Sequence, residues 1–145
     1  LLRKINITNA GILLLIQVNL LVFCHKPTEP IRLWMTPPPE VAKTAAVYGE
    51  IKNPYTADVE IRTIVSNGYK TVDFHETSID NQSGVARMRK LDYPILLKAN
   101  QTIELVRSGK HLMLYDKLDH SGKLELKIQF SNGESKVVIL EERKL

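Results

Sequence analysis

Cysteine is all but missing from this 145-residue chain, and the lack excludes several chemistries at once. The single Cys24 has no partner for an intramolecular disulfide, so stability has to come from a packed core. Beyond Cys24 there is no thiolate, which rules out a blue-copper electron-transfer centre, since that site needs a cysteine beside two histidines. Glycine is scarce at seven residues and never falls in a phosphate-cradling pattern. No nucleophile elbow and no Ser/His/Asp order suggests hydrolytic chemistry, so the chain does not read as an enzyme. Charge of one sign is lacking too. The formal net charge is +4, Arg3 and Lys4 contribute two of it, and the other basic residues are scattered rather than striped, which gives no case for a nucleic-acid partner. No amphipathic helical period appears after Cys24.

What is present suits one globular domain: 43% hydrophobic and 25% charged residues are ordinary proportions. The amino end stands apart. Arg3-Lys4 precede an apolar run from Gly11 to Phe23, interrupted only by Gln17 and Asn19. Thirteen residues are fewer than the roughly 20 that span a bilayer as a helix, and they match the apolar part of a secretory signal. Cys24 follows at once, where a lipoprotein carries its acylated cysteine, although Phe23 occupies a place usually held by a small residue. Lipidation, an uncleaved anchor and ordinary cleavage nearby all fit. Residues 1–24 are therefore read as a signal peptide or membrane anchor, residues 25–39 as a proline-rich tether, and residues 40–145 as the folded domain.

Within the domain, short alternating runs separated by turn signals predict strands. The first runs from Ala45 to Lys52 and stops at Asn53-Pro54. In the second, Asp58 to Ser66, the apolar phase shifts at Ile64-Val65, which predicts a bulge. Thr71 to His75, Val85 to Lys90, Thr102 to Arg107 and His111 to Tyr115 follow. The clearest hairpin joins Leu124, Leu126, Ile128 and Phe130 through Asn132-Gly133 to a return strand, Lys136 to Glu141. Seven or eight such strands predict an all-β sandwich or barrel with Greek-key links.

The chemistry concentrates between His75 and Met113. Two of the three methionines and two of the four histidines lie there in the order His75, Met88, His111, Met113. Imidazole with thioether is a soft, neutral donor set that suits Cu(I) better than zinc, calcium or magnesium. In a strand, His111 and Met113 project to one face while Leu112 and Leu114 face the other. Val72 and Phe74 likewise oppose His75. Both histidines thus lie opposite apolar faces, and a shallow site near the surface is expected. Taken singly, each of these residues reads as surface or core filler; the constellation is what points to a metal. Met35 is a further thioether, better explained by packing than by ligation.

In these residues the chain resembles the PCuAC family of periplasmic copper chaperones, whose signature is His, Met and then His-x-Met at comparable, slightly shorter spacings. Here twelve residues separate His75 from Met88 and twenty-two separate Met88 from His111. Trp34, Pro37-Pro38 and Ala45-Ala46-Val47-Tyr48 resemble the family's first strands. Two departures are Thr77, where many members have methionine, and a carboxyl end without a His/Met-rich tail. The resemblance implies a cupredoxin-like sandwich preceded by the signal or anchor segment. It also implies Cu(I) bound by His75, Met88, His111 and Met113, and a place on the periplasmic side of a bacterial cell envelope. The implied partner is a copper acceptor, either a cytochrome oxidase copper subunit or another chaperone. A copper storage or resistance protein, and an envelope interaction domain without metal, are the rival readings.

Overall fold

A computed structural model describes residues 29–144; the apolar run, Cys24 and the start of the proline-rich stretch lie outside the described residues. Eleven strands and no helix make up the described chain, in two sheets. The larger sheet runs β11 (Glu141–Glu142), β1 (Ile31–Met35), β2 (Ala45–Lys52), β8 (Lys110–Lys117), β4 (Tyr69–Ile79) and β5 (Ala86–Leu91). In it β7 (Thr102–Leu105) also pairs with β2. The smaller sheet runs β10 (Ser135–Ile139), β9 (Glu125–Phe130), β3 (Val59–Ser66) and β6 (Ile95–Leu97).

The period-two pattern decides which residues meet between the sheets. Leu33, Val47, Phe74, Leu112 and Leu114 come from the larger sheet, and Ile61, Ile64, Leu97, Leu126 and Ile128 from the smaller; all are buried in one apolar cluster. The strand expected over 45–52 forms with those bounds. The register shift between Ile61 and Thr63 is the bulge foreshadowed by the phase change in β3. Asn132-Gly133 turns the final hairpin, with Gly133 at a φ of 86°.

Differences arise where local signals are weak. Ile31–Met35, inside the stretch read as tether, is a strand, because Ile31, Leu33 and Met35 alternate into the core between flanking prolines. Met35 is only 2% exposed there and packs in the core, on the face away from the two histidines. Strand β6 follows Pro94, outside the strands expected from the sequence, and β4 extends to Ile79, so His75 sits within the strand and not at its end.

Gly49 sets how closely β1 lies on β2. Its φ is 128°, a backbone conformation other residues rarely adopt, and a Cβ there would collide with the carbonyl oxygen of Arg32. The close approach holds Trp34 opposite Tyr48 on the outer face of the larger sheet.

Candidate metal centre

The outer face of the larger sheet is assembled by register. His75 on β4 pairs directly with His111 on β8, and Asp73 pairs with Met113. On the other side of β4, Thr77 pairs with Met88 and His75 with Lys90, both on β5. Ala46 on β2 is the partner of Met113. Directly paired residues share a face, so His75, Met88, His111 and Met113 all project from one side of three adjacent strands. Phe74, Leu112 and Leu114 occupy the opposite side and are fully buried. The same alternation that builds the core therefore builds this site.

Three of the four candidate donors are in close proximity. The rings of His75 and His111 have centroids 5.9 Å apart. The Met88 Sδ lies 3.3 Å from His111 Nε2. The Nδ1 of His111 is 3.1 Å from the carbonyl oxygen of Gly109, an acceptor only, so Nδ1 carries the proton and donates it there. This leaves Nε2 with a lone pair facing the sulfur. Bond lengths of about 2.0 Å to nitrogen and 2.3 Å to sulfur, the zinc values, would set the two donors about 3.3 Å apart at an angle of roughly 100°. The observed separation is that of two donors able to share one ion. Met113 stands two residues beyond His111 on the same face, beside Asp73, and is partly buried.

His75 adds a sharper observation. It is 8% exposed, yet neither ring nitrogen has a hydrogen-bond partner. A buried, unpartnered polar group carries a desolvation cost of about 1–3 kcal/mol, and native structures seldom retain one without a use. Burial is the main cause that lowers its pKa below the ordinary histidine value, followed by the nearby His111. Asp73 opposes the shift and Lys90 adds to it. The ring is therefore held neutral, the form in which it can donate to a metal.

The site is not shallow, as its place opposite the apolar face had suggested. His111 is 4% exposed, and its cover comes from this face's own side chains. Tyr48 lies 6.4 Å from His111 between ring centroids, and Tyr115 lies 6.2 Å from His75. Trp34 extends the wall, 5.1 Å from Tyr48, and Arg143 lies over it at 5.2 Å. Strand alternation holds the signal for this wall, because Tyr115 falls two residues after Met113 and Tyr48 two after Ala46. Only Met88 is open to solvent, at 55% exposure. Of the charged residues beside the site, Asp73 pairs with Lys90 at 2.8 Å and Lys110 with Glu76 at 3.2 Å, while Asp116 is exposed with a positive φ.

Among the described residues no group of three or more His, Cys, Asp or Glu side chains comes together. Two imidazoles with thioethers are what the face offers.

Comparison with known proteins agrees with this fold. The family model for LpqE-like proteins, described as lipoproteins, matches residues 31–140. An uncharacterized protein of Rickettsia prowazekii (strain Madrid E), RP573, is 31% identical over 87 residues, covering 59% of this chain and 47% of that protein. The chain thus spans about half the length of the curated relative it matches. Among solved structures, the apo PCuAC domain from PmoF1 superimposes with a TM-score of 0.60 at 20% identity, over 79% of this chain and 91% of that one. The copper-bound PCuAC domain from PmoF2 gives 0.59 at 15% identity, over 79% and 90%. The solution structure of CuI-DR1885 from Deinococcus radiodurans gives 0.56 at 16% identity, over 78% and 76%. The fold is that of the PCuAC domains, a cupredoxin-like sandwich.

Proposed function

Since the chain belongs to the LpqE-like family, whose model spans residues 31–140, we propose that it is a cell-envelope copper chaperone, not an enzyme. In this reading it carries one Cu(I) on His75, Met88, His111 and Met113. The observation that carries the proposal is the pairing of a buried, unpartnered His75 with His111, whose free nitrogen faces the Met88 sulfur at 3.3 Å. Two fold relatives described in copper-bound form, the PmoF2 domain and CuI-DR1885, support the choice of copper. The donor set suits the reduced ion in particular, because thioethers are soft and uncharged.

Copper is cargo here, and the site's asymmetry fits delivery. Buried imidazoles hold the ion from beneath, and the exposed Met88 is the donor that an incoming ligand meets first. The recipient we propose is the copper centre of a cytochrome oxidase, reached directly or through another chaperone. The protein works on the periplasmic side of a bacterial envelope, with residues 1–24 as signal or anchor, a proline-rich lead into β1, and the copper-binding sandwich beyond. Anaerobic Cu(I) titration against a calibrated chelator tests the reading: one equivalent should be held tightly, and it should pass to an apo acceptor. Tight binding without transfer would favour storage or resistance, and no binding would leave an interaction domain.

Cys24 lies outside the described residues and takes no part in the proposed site. Its position directly after the apolar run supports a role in processing or anchoring, as does the family's lipoprotein description. Cys24→Ser is expected to leave Cu(I) affinity unchanged while releasing the protein from membranes, read by fractionation and by mass spectrometry of the amino end. Weakened copper binding would refute the first half, and unchanged membrane retention the second.

A further inference from the structure

The site is closed on one flank and open on the other. Towards β2 His111 is flanked by the Tyr48 ring, itself backed by Trp34 on β1; towards β5 it meets Met88, more than half exposed. Strand β5 ends the larger sheet, and no strand pairs with its outer edge among the described residues. It is also the least buried of the longer strands, with Ala86 to Lys90 all exposed.

That edge carries charge of one sign. Arg87, Arg89 and Lys90 bracket Met88, Lys90 projecting to the ligand face and the two arginines to the other, so the edge is cationic on both sides. The carboxylates that answer them sit deeper. The Asp73 side chain is 16% exposed and binds Lys90; that of Glu76 is 26% exposed and binds Arg89 and Lys110. Arg87 forms no ion pair among the described residues. Cationic side chains on a free edge discourage indiscriminate strand pairing, and the partner that overcomes them is one of opposite charge.

We infer that the β5 edge is the surface through which Cu(I) leaves, and that the partner it fits presents an acidic segment alongside Met88. The inference rests on the copper-carrying reading above. An acidic segment aligned on β5 brings its own donor to the one copper ligand that is solvent-exposed, while the field of Arg87, Arg89 and Lys90 steers its approach.

Stopped-flow transfer from the Cu(I)-loaded full chain to two chelators of related structure tests this. Bathocuproine disulfonate is anionic and neocuproine is neutral. Arg87→Glu is expected to slow transfer to the anionic chelator by roughly threefold to tenfold and to leave transfer to the neutral one unchanged. Raising the ionic strength should reproduce the selective slowing on the unaltered protein, without reliance on a variant. Rates that respond equally for both chelators, or for neither, would overturn the inference while leaving the copper site intact. Failure of the unaltered protein to hold Cu(I) before transfer would instead sink the chaperone reading on which it depends.

Discussion

His75→Leu is expected to weaken Cu(I) binding by about a hundredfold or more while leaving the copper-free protein at least as stable as before. The binding loss follows from deleting a donor: changes merely to residues that support metal ligands cost about 10- to 100-fold, so a direct ligand should reach or exceed the upper figure. A hundredfold corresponds to about 2.8 kcal/mol. The stability half follows from the two ring nitrogens that have no partner in the fold. Replacing a buried, unsatisfied polar ring with an apolar side chain of similar size removes a desolvation cost and leaves no partner stranded. His111→Leu should differ. It also removes a copper donor, but it deletes the ring's hydrogen bond to the Gly109 carbonyl, which keeps only the Thr77 N–H, so the copper-free protein should lose up to about 1 kcal/mol. Met88→Leu should cost less affinity than either, on the order of tenfold or 1.4 kcal/mol, since the thioether is exposed and the buried imidazoles remain. Chelator competition and urea unfolding read the two effects separately. A His75→Leu protein that binds copper normally, or that fails to fold, would refute this account of the residue.

The second large effect is on pH. A thioether has no proton to lose near neutrality, whereas an imidazole must be neutral to ligate and has a reference pKa of about 6.5. Protons should therefore compete with copper for two sites, and the apparent affinity should fall as the pH drops, by up to roughly a hundredfold per pH unit where both compete. Because His75's pKa is lowered, chiefly by burial, its share of the competition begins below the ordinary histidine range. The same shift carries a stability consequence for the copper-free protein. As pH falls through about 6.5 the unfolded chain takes up a proton that folded His75 does not. Stability from this residue is thus full above the unfolded value, declines as pH drops towards the lower folded value, and loses nothing further beneath it. His75→Leu should remove that decline, and Met88→Leu and Met113→Leu should weaken binding while keeping its pH dependence. An affinity that stays flat between pH 5 and 8 would rule out a two-histidine site.

Much of this site was legible because strand alternation is a strict rule. His111-Leu112-Met113-Leu114 already separates two donors from two core residues, and Thr71 to His75 does the same on the neighbouring strand. Depth was not legible. The cover over the histidines comes from Tyr48 and Tyr115, which flank the site through the order of strands, and that order is a tertiary fact. Strand β1 was masked by prolines at both ends, and β11 is a two-residue parallel pairing with β1, too short to leave a periodic signature. The direct pairing of His75 with His111 shows the same limit. Sequence spacing puts both on strands, and only the register decides that they face each other.

The central claim is that imidazole and thioether donors meet on one ion on this face. X-ray absorption at the copper edge of the anaerobic Cu(I) complex tests it most directly. Nitrogen and sulfur scatterers should appear together in the first coordination sphere, with the sulfur contribution reduced in Met88→Leu and in Met113→Leu. A spectrum built from nitrogen and oxygen donors alone would contradict it.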